Sequence, residues 1–230
     1  MKFTVTATAL FASLAAAAAA PQKCHNVYIV GARETLALQE NGFGTAAGLV
    51  EDVKKAYPGT RADAIKYPAC AGQASCGGID LPNSLKQGTK AVVTAVNEYN
   101  KKCPQAKIVL IGYSQGGQLM ENALCGSADP NEETINPKAL PAVKAAILLG
   151  PISFRSDLTY SRGTCRKGGI TARPAGYTCS PGKPGIIRSY CDATDQFCCS
   201  GKNLPIHSTY VTTYGDDALK FIKQAVDRKN

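Results

Sequence analysis

The fold is decided by the stretch Lys107-Ile108-Val109-Leu110-Ile111-Gly112-Tyr113-Ser114-Gln115-Gly116-Gly117. Its first half is an apolar run typical of a buried strand, and the segment 118–124 that follows has a helical pattern. A strand, Gly-x-Ser-x-Gly and a helix, in that order, form a nucleophile elbow, a sharp turn that presents a serine at the carboxyl end of a sheet. The N-terminus of the following helix offers unpaired N–H groups at the same place. Ser114 is therefore a candidate nucleophile.

The first 20 residues have the composition of a secretory signal peptide. Met1-Lys2 is followed by an apolar stretch that ends in the alanine run 15–20. We expect cleavage near Ala20, which leaves one domain from residue 21 to residue 230. No later apolar run is long enough to span a bilayer, so we expect a secreted, extracellular protein with no membrane partner.

All ten cysteines lie beyond this segment, from Cys24 to Cys199. An even number of cysteines in an exported chain predicts a disulfide framework. Adjacent Cys198 and Cys199 cannot easily pair with each other, so we expect each to reach another part of the chain. A zinc site needs paired cysteine motifs or nearby histidines, and the chain has only two histidines, so we expect no metal.

The formal net charge is +9, from 26 Lys and Arg against 17 Asp and Glu. The positive residues are scattered, with no basic block and no stripe of alternating basic and aromatic residues, so nucleic acid is not an expected partner. The charge is compatible with an unspecific attraction to anionic surfaces such as acidic wall polymers.

Strands and helices are expected to alternate along the chain. The predicted strands are 27–30, 62–67, 107–111, 143–149 and 186–190, and the predicted helices are 46–57, 85–99, 118–125 and 217–226. Apolar strands without strict alternation are typical of a parallel sheet with helices on both faces. Residues 152–185 contain glycines, prolines and two cysteines with little periodicity, and we expect a long loop held by disulfides.

A serine nucleophile needs a base within hydrogen-bond reach, and the base needs an acid to hold its tautomer. In this type of fold the chain order is Ser, then Asp or Glu, then His. His25 precedes the first strand, whereas His207 follows Ser114 and lies in a loop before the last helix, which makes His207 the candidate base. Asp192 and Asp195 both follow the last predicted strand, and spacing alone does not choose between them as the acid.

Acyl transfer also needs N–H donors for the oxyanion that develops. The backbone N–H of Gln115, next to the candidate nucleophile, is the first expected donor. The second is expected from the loop after the first strand, residues 31–35, where Thr35 offers an N–H and a hydroxyl. Taken alone, Thr35 is only a loop residue.

Six segments stand out together across the chain after the signal peptide: 30–35, 67–70, 75–78, 108–117, 173–176 and 189–195. In this order they resemble the cutinase-like family of serine esterases and, within it, the fungal acetylxylan esterases of carbohydrate esterase family 5. The resemblance implies a minimal α/β-hydrolase with a central five-stranded parallel sheet, helices on both faces and no large lid. It also implies a secreted esterase that removes acetyl groups from plant-wall polysaccharide, chiefly acetylxylan. We expect a monomer that needs no cofactor.

The resemblance implies roles for individual residues. It places the catalytic triad on Ser114, His207 and Asp195, and so selects the second aspartate of the loop. It places the oxyanion donors on Thr35 and Gln115.

Two tyrosines are expected near the substrate. The resemblance places Tyr113 beside a small acyl pocket, and Tyr177 is a candidate for contacting a sugar in a chain without tryptophan. The resemblance also implies three disulfides and leaves four cysteines in two further bridges of unassigned pairing. The implied bridges are Cys24–Cys103, Cys70–Cys76 and Cys191–Cys198, and the remaining cysteines are Cys125, Cys165, Cys179 and Cys199.

The segment before the candidate base, residues 202–206, is more apolar than the acetylxylan esterase resemblance leads us to expect. Substrate choice therefore stays open. The alternative is a cutinase or an esterase of short-chain polyesters or lipids. A more remote alternative is a catalytically silent secreted protein that binds wall polymers.

Overall fold

A computed structural model describes residues 23–179 and 184–228. The predicted signal peptide, residues 1–20, lies outside the described residues, and the single domain from 21 to 230 stays a prediction. The strands are β1 Val27–Ala32, β2 Arg61–Ala64, β3 Lys107–Tyr113, β4 Val143–Leu149, β5 Ser161–Arg162 and β6 Ile187–Tyr190. The helices are α1 Ala47–Ala56, α2 Leu81–Lys102, α3 Gln115–Cys125 and α4 Tyr210–Asp227. Within the described ranges, no helix has both the length and the apolarity needed to cross a bilayer.

The strands form one parallel sheet in the order β2-β1-β3-β4-β6-β5. The predicted parallel α/β fold is confirmed, but the sheet has six strands where five were expected. The additional strand is β5, which lies in the segment 152–185 that we expected to be loop. Ser161 and Arg162 pair with Ser189 and Tyr190 of β6. A two-residue strand has no detectable periodicity, because it forms only where the folded chain meets the edge of the sheet.

Each face of the sheet is covered by two helices. Leu110 of β3 lies in the core cluster shared with α2 and α3, whereas its neighbours Val109 and Ile111 lie in the cluster shared with α1 and α4. Side chains of a strand alternate between faces, so a strand that is apolar throughout needs both layers. The loops that follow β1, β3, β4 and β6 all emerge at the carboxyl edge of the sheet, where ligands of open α/β sheets bind.

Several element boundaries differ from the prediction, and those of β2 and α4 have a physical reason. Strand β2 ends at Ala64 rather than at residue 67, and α4 begins at Tyr210, seven residues before the predicted start. Helical spacing of aliphatic residues marks only the second half of α4. Its first half is held by aromatic packing, since Tyr210 is fully buried and Tyr214 stacks on Tyr190 with ring centroids 4.9 Å apart.

Five disulfides are present, and they tie loops to the sheet and helices. The pairs are Cys24–Cys103, Cys70–Cys76, Cys125–Cys179, Cys165–Cys199 and Cys191–Cys198. The first, second and fifth are the pairs that the resemblance implies. The third joins the segment 152–185 to the end of α3, and the fourth joins the same segment to the loop after β6. This segment is therefore fastened at two points, at the end of α3 away from Ser114 and in the loop after β6.

Candidate active site

Ser114 lies between β3 and α3 in the left-handed region, with φ 51°. The turn is sharp because the first turn of α3 passes close to two strands. An ideal Cβ at Gly112 would lie 2.2 Å from the carbonyl oxygen of Gly116, and one at Gly116 would lie 2.2 Å from that of Ala32. Only glycine fits at either position, so close backbone contacts explain both glycines of the motif. The strained serine marks a candidate functional site.

The structure brings the three candidate triad residues together in one line. Ser114 Oγ lies 2.8 Å from His207 Nε2, and His207 Nδ1 lies 2.7 Å from Asp195 Oδ2. A carboxylate can only accept, so Nδ1 carries a proton and Nε2 is free to accept from the serine hydroxyl. Ser114 is 5% exposed and Asp195 is fully buried, so burial largely shields these contacts from bulk water.

The carboxylate of Asp195 is held on both oxygens. Oδ1 accepts from the backbone N–H groups of Phe197, at 2.7 Å, and Cys198, at 3.0 Å. Burial opposes ionisation of this carboxyl. The hydrogen bond and charge of His207, together with the two backbone donors, outweigh burial and hold the pKa of Asp195 below its ordinary value. The group is therefore an anion at neutral pH.

The other aspartate of the same loop, Asp192, makes different contacts. Asp192 Oδ1 accepts from the Thr164 hydroxyl at 2.8 Å and from the Tyr214 hydroxyl at 2.6 Å. These contacts tie the loop to the segment 152–185 and to α4. Between the two aspartates that spacing left open, only Asp195 contacts His207.

Aromatic residues hold the loop that carries His207 in place. The Tyr113 hydroxyl donates to the carbonyl of His207 at 2.8 Å and accepts from the N–H of Tyr210 at 3.2 Å. The Phe197 ring contacts the imidazole edge-on, with centroids 4.7 Å apart. Tyr113 is 1% exposed, and its observed contacts support the base. Its predicted place beside an acyl pocket stays a prediction.

Gln115 is the first residue of α3, and its backbone N–H has no partner within the helix. Its side chain is fully buried and holds the neighbouring loop in place. Oε1 accepts from Ser84 Oγ at 3.1 Å, and Nε2 donates to the carbonyl of Cys70 at 2.9 Å. These contacts hold Gln115 in place, and the role of its backbone N–H as first oxyanion donor stays a prediction.

Thr35 lies half-buried in the loop after β1, between anchored neighbours. Arg33 is 3% exposed, and its Nη2 donates to the carbonyl of Tyr67 at 2.7 Å. Leu36, with φ 65°, donates its N–H to the carbonyl of Ala69 at 2.8 Å. The loop is thus rigidly held at the carboxyl edge, and the role of Thr35 as second oxyanion donor stays a prediction.

Tyr177 does not reach the triad. Its ring lies 4.7 Å from the guanidinium of Arg173, which forms a buried ion pair with Glu121 at 2.9 Å. Glu121 is seven residues along α3 from Ser114, which corresponds to about 10 Å of helix rise. The contacts of Tyr177 therefore place it beside the middle of α3, and its predicted contact with substrate stays a prediction.

Two groups of side chains in the described residues have the composition of metal ligands. They are Cys165, Cys191 and Cys199, and Asp195, Cys198 and His207. Every cysteine in both groups is in a disulfide, which offers no thiolate. The two other side chains, Asp195 and His207, are hydrogen-bonded to each other. Neither group therefore offers three free ligands.

Sequence reasoning missed the groups that hold the triad. Tyr210 donates its hydroxyl to Asp195 Oδ2 at 2.8 Å, but nothing in its sequence context marks it. The turn 195–198 had a signal, since an aspartate commonly accepts from N–H groups two or three residues later. That signal favours a rigid carboxylate at Asp195.

Comparisons with known proteins give one consistent family. The family model described as Cutinase matches residues 23–226. Acetylxylan esterase 2 of Talaromyces purpureogenus is 47% identical over 208 residues, which cover 88% of this chain and 87% of that protein. Cutinase 11 of Verticillium dahliae is also 47% identical, over 212 residues that cover 90% of this chain and 70% of that protein.

Solved structures of related proteins share the fold of this chain. An acetylxylan esterase solved at 0.90 Å resolution superposes with a TM-score of 0.82 at 47% identity, and the match covers 89% of this chain and all of that one. A Trichoderma reesei cutinase superposes with a TM-score of 0.60 at 17% identity, covering 89% of this chain and 78% of that one, which shows a shared fold alone.

Proposed function

The chain belongs to the cutinase family, and from this membership we propose that it is a secreted serine esterase that removes acetyl groups from acetylated xylan. The observation that carries the proposal is the unbroken line from Ser114 through His207 to Asp195, with contacts of 2.8 and 2.7 Å. The proposal is supported by relatives named acetylxylan esterase at 45% and 47% identity. We propose that the protein acts as a monomer.

In the proposed mechanism Ser114 Oγ attacks the carbonyl carbon of the acetyl ester while His207 Nε2 takes the hydroxyl proton. Asp195 stabilises the imidazolium that results and holds the ring in the tautomer that accepts at Nε2. The imidazolium then gives its proton to the sugar oxygen, which leaves as an alcohol. An acetyl group remains on Ser114.

Water completes the cycle with the same groups. His207 takes a proton from the attacking water, and acetate leaves Ser114, which regains its proton. In both steps the carbonyl oxygen gains negative charge, which the N–H groups of Gln115 and Thr35 stabilise in our assignment. The helix N-terminus at Gln115 adds a favourable partial charge.

Two measurements test the proposal. Rates on p-nitrophenyl esters of increasing acyl length are expected to fall steeply beyond acetate, and the enzyme is expected to release acetate from acetylated xylan. Ser114→Ala is expected to abolish both activities while leaving the fold intact by circular dichroism. Ester hydrolysis that survives in purified Ser114→Ala would exclude this serine as nucleophile.

A second candidate function is hydrolysis of cutin-like polyester, and one observation favours it. Within the described residues, the large hydrophobic side chains that are more than half exposed all lie in loops beyond the carboxyl ends of strands. They are Leu36, Leu38, Ile170 and Leu204, exposed by 52, 59, 61 and 55%. Apolar side chains at this edge suit contact with an apolar polymer.

The ester panel separates the candidates. Higher rates on longer acyl chains, or release of monomers from a cutin-like polyester, would favour the cutinase function over the acetylxylan function. The remaining alternative, a silent binding protein, predicts no hydrolysis of any ester together with retention on insoluble xylan.

A further inference from the structure

A cavity of about 380 Å³ lies between the start of α2, α3, the loop 127–132 that follows α3 and the loop 171–174. Its wall on α3 is formed by Gln118 and Asn122, which lie four and eight residues beyond Ser114 and so on the same face of the helix. The backbone N–H of Gln118 donates to the carbonyl of Ser114 at 3.2 Å. The cavity therefore begins one helical turn, about 6 Å, from the nucleophile.

The near end of the cavity has open hydrogen-bonding capacity. Gln118 is 8% exposed, and its Oε1 accepts from the hydroxyl of Thr171 at 2.9 Å. Among the described residues no group accepts from Gln118 Nε2, although this amide lines the cavity. Thr171 Oγ1 uses its proton on Gln118 and keeps lone pairs free to accept. A donor and an acceptor side by side match two neighbouring hydroxyls of a sugar.

The opposite wall, from the start of α2, has an apolar part formed by Leu81, Pro82 and Leu85. Asn83 and Lys86 line the same wall. The C–H face of a pyranose ring can pack against the apolar part while its hydroxyls face the polar wall on α3. The volume falls within the range of about 300–1,000 Å³ typical of ligand pockets. Asn122 is bonded at both ends of its amide, since Nδ2 donates to Thr89 and Oδ1 accepts from Arg173.

We propose that this cavity binds a second sugar unit of the polysaccharide, next to the unit whose acetyl group reaches Ser114. Gln118 Nε2 donates to one hydroxyl of that unit and Thr171 Oγ1 accepts from its neighbour. One helical turn separates the cavity from the nucleophile, which is about the length of one sugar unit in a chain. The inference rests on the proposed function, since it names a subsite for the same substrate.

The test uses acetylated xylose, xylobiose and xylotriose, with p-nitrophenyl acetate as a reference ester. For the wild-type enzyme the ratio of kcat/KM on each sugar to that on the reference is expected to rise from one sugar unit to two. In Gln118→Leu and Thr171→Val the ratio for two or more units is expected to fall about five- to tenfold, as for one lost neutral hydrogen bond. The ratio for acetylated xylose is not expected to change.

The same glutamine-to-leucine change at Gln224, an exposed residue of α4, is the matched control. Active-site titration with a phosphonate ester counts folded enzyme in every preparation. The subsite is overturned if both cavity variants keep the wild-type ratios of kcat/KM. It is also overturned if the ratios for acetylated xylose and xylobiose fall equally. Neither result contradicts the proposed function. If the wild type releases no acetate from any of the sugars but hydrolyses the reference ester, the acetylxylan function fails, and the subsite fails with it.

Discussion

The phenolic hydroxyl of Tyr210 donates to Asp195 Oδ2 at 2.8 Å, on the same oxygen that accepts from His207 Nδ1. Burial raises the pKa of Tyr210 above its ordinary value, so the phenol stays a donor. The hydrogen-bonded line from Ser114 through His207 to Asp195 therefore continues to the phenol of Tyr210. A carboxylate oxygen that accepts two hydrogen bonds is restrained in its plane, and this restraint is passed to the imidazole.

Tyr210→Phe is expected to lower kcat/KM on p-nitrophenyl acetate by about tenfold, because the carboxylate loses one charge-assisted hydrogen bond and its fixed orientation. Steady-state kinetics with active-site titration measure the effect. Tyr214→Phe is the matched control, since the Tyr214 hydroxyl donates to the carboxylate of Asp192 and not to that of Asp195. An equal loss in both variants would show that the phenol of Tyr210 has no special relation to the triad.

Asp195→Asn is expected to lower kcat by roughly 10³–10⁴-fold, because an amide favours the imidazole tautomer that cannot accept from Ser114. Asp192→Asn is expected to lower stability in urea more than kcat, since the Asp192 carboxylate accepts from Thr164 and Tyr214 and not from His207. Kinetics and urea unfolding of both variants decide the assignment. The reverse pattern would make Asp192 the acid.

Folding stability is expected to fall at acidic pH through Asp195. Its pKa is lowered in the folded state, so the contribution is fully present above the unfolded pKa of about 3.9. It is lost as the pH falls through the lower folded pKa. Urea unfolding between pH 6 and pH 2 measures this effect, and Asp195→Asn is expected to flatten the acid limb. If Asp195→Asn loses stability at acidic pH as steeply as the wild type does, other titratable groups cause the loss.

Activity is expected to fall on acidification, separately from any unfolding. A protonated imidazole cannot accept the proton of Ser114, so the nucleophile is no longer activated. The measurement is kcat/KM on p-nitrophenyl acetate against pH, with circular dichroism at each point. A profile that stays flat down to about pH 4 would contradict His207 as the base.

Glu121→Gln is expected to destabilise the protein by about 3–5 kcal/mol, because it leaves the guanidinium of Arg173 buried without its ion-pair partner. Both side chains are almost fully buried, at 3% and 5% exposure. The control is Glu51→Gln, whose partner Lys54 is exposed, and its expected cost is about 0–1 kcal/mol. Similar urea midpoints for the two variants would contradict a structural role for the buried pair.

Local pattern was enough to predict the elbow, the parallel sheet and the candidate base. The strand 107–111 and its glycines form a motif whose steric needs are local, and the choice of His207 required only chain order. The same reasoning could not extend α4 back to Tyr210, because aromatic packing against another element leaves no periodic trace. It also could not find β5, which exists only as a partner for β6.

By itself the sequence determined that this chain builds an α/β sheet with a serine at an elbow, a histidine beyond it and a choice of two aspartates. Those properties follow from periodicity, motif spacing and chain order, all of which are local or one-dimensional. Only the tertiary structure decided that Asp195 faces His207, that Asp192 faces away and that Tyr210 extends the line. Such choices depend on contacts between residues far apart in the chain, which no single stretch of sequence records.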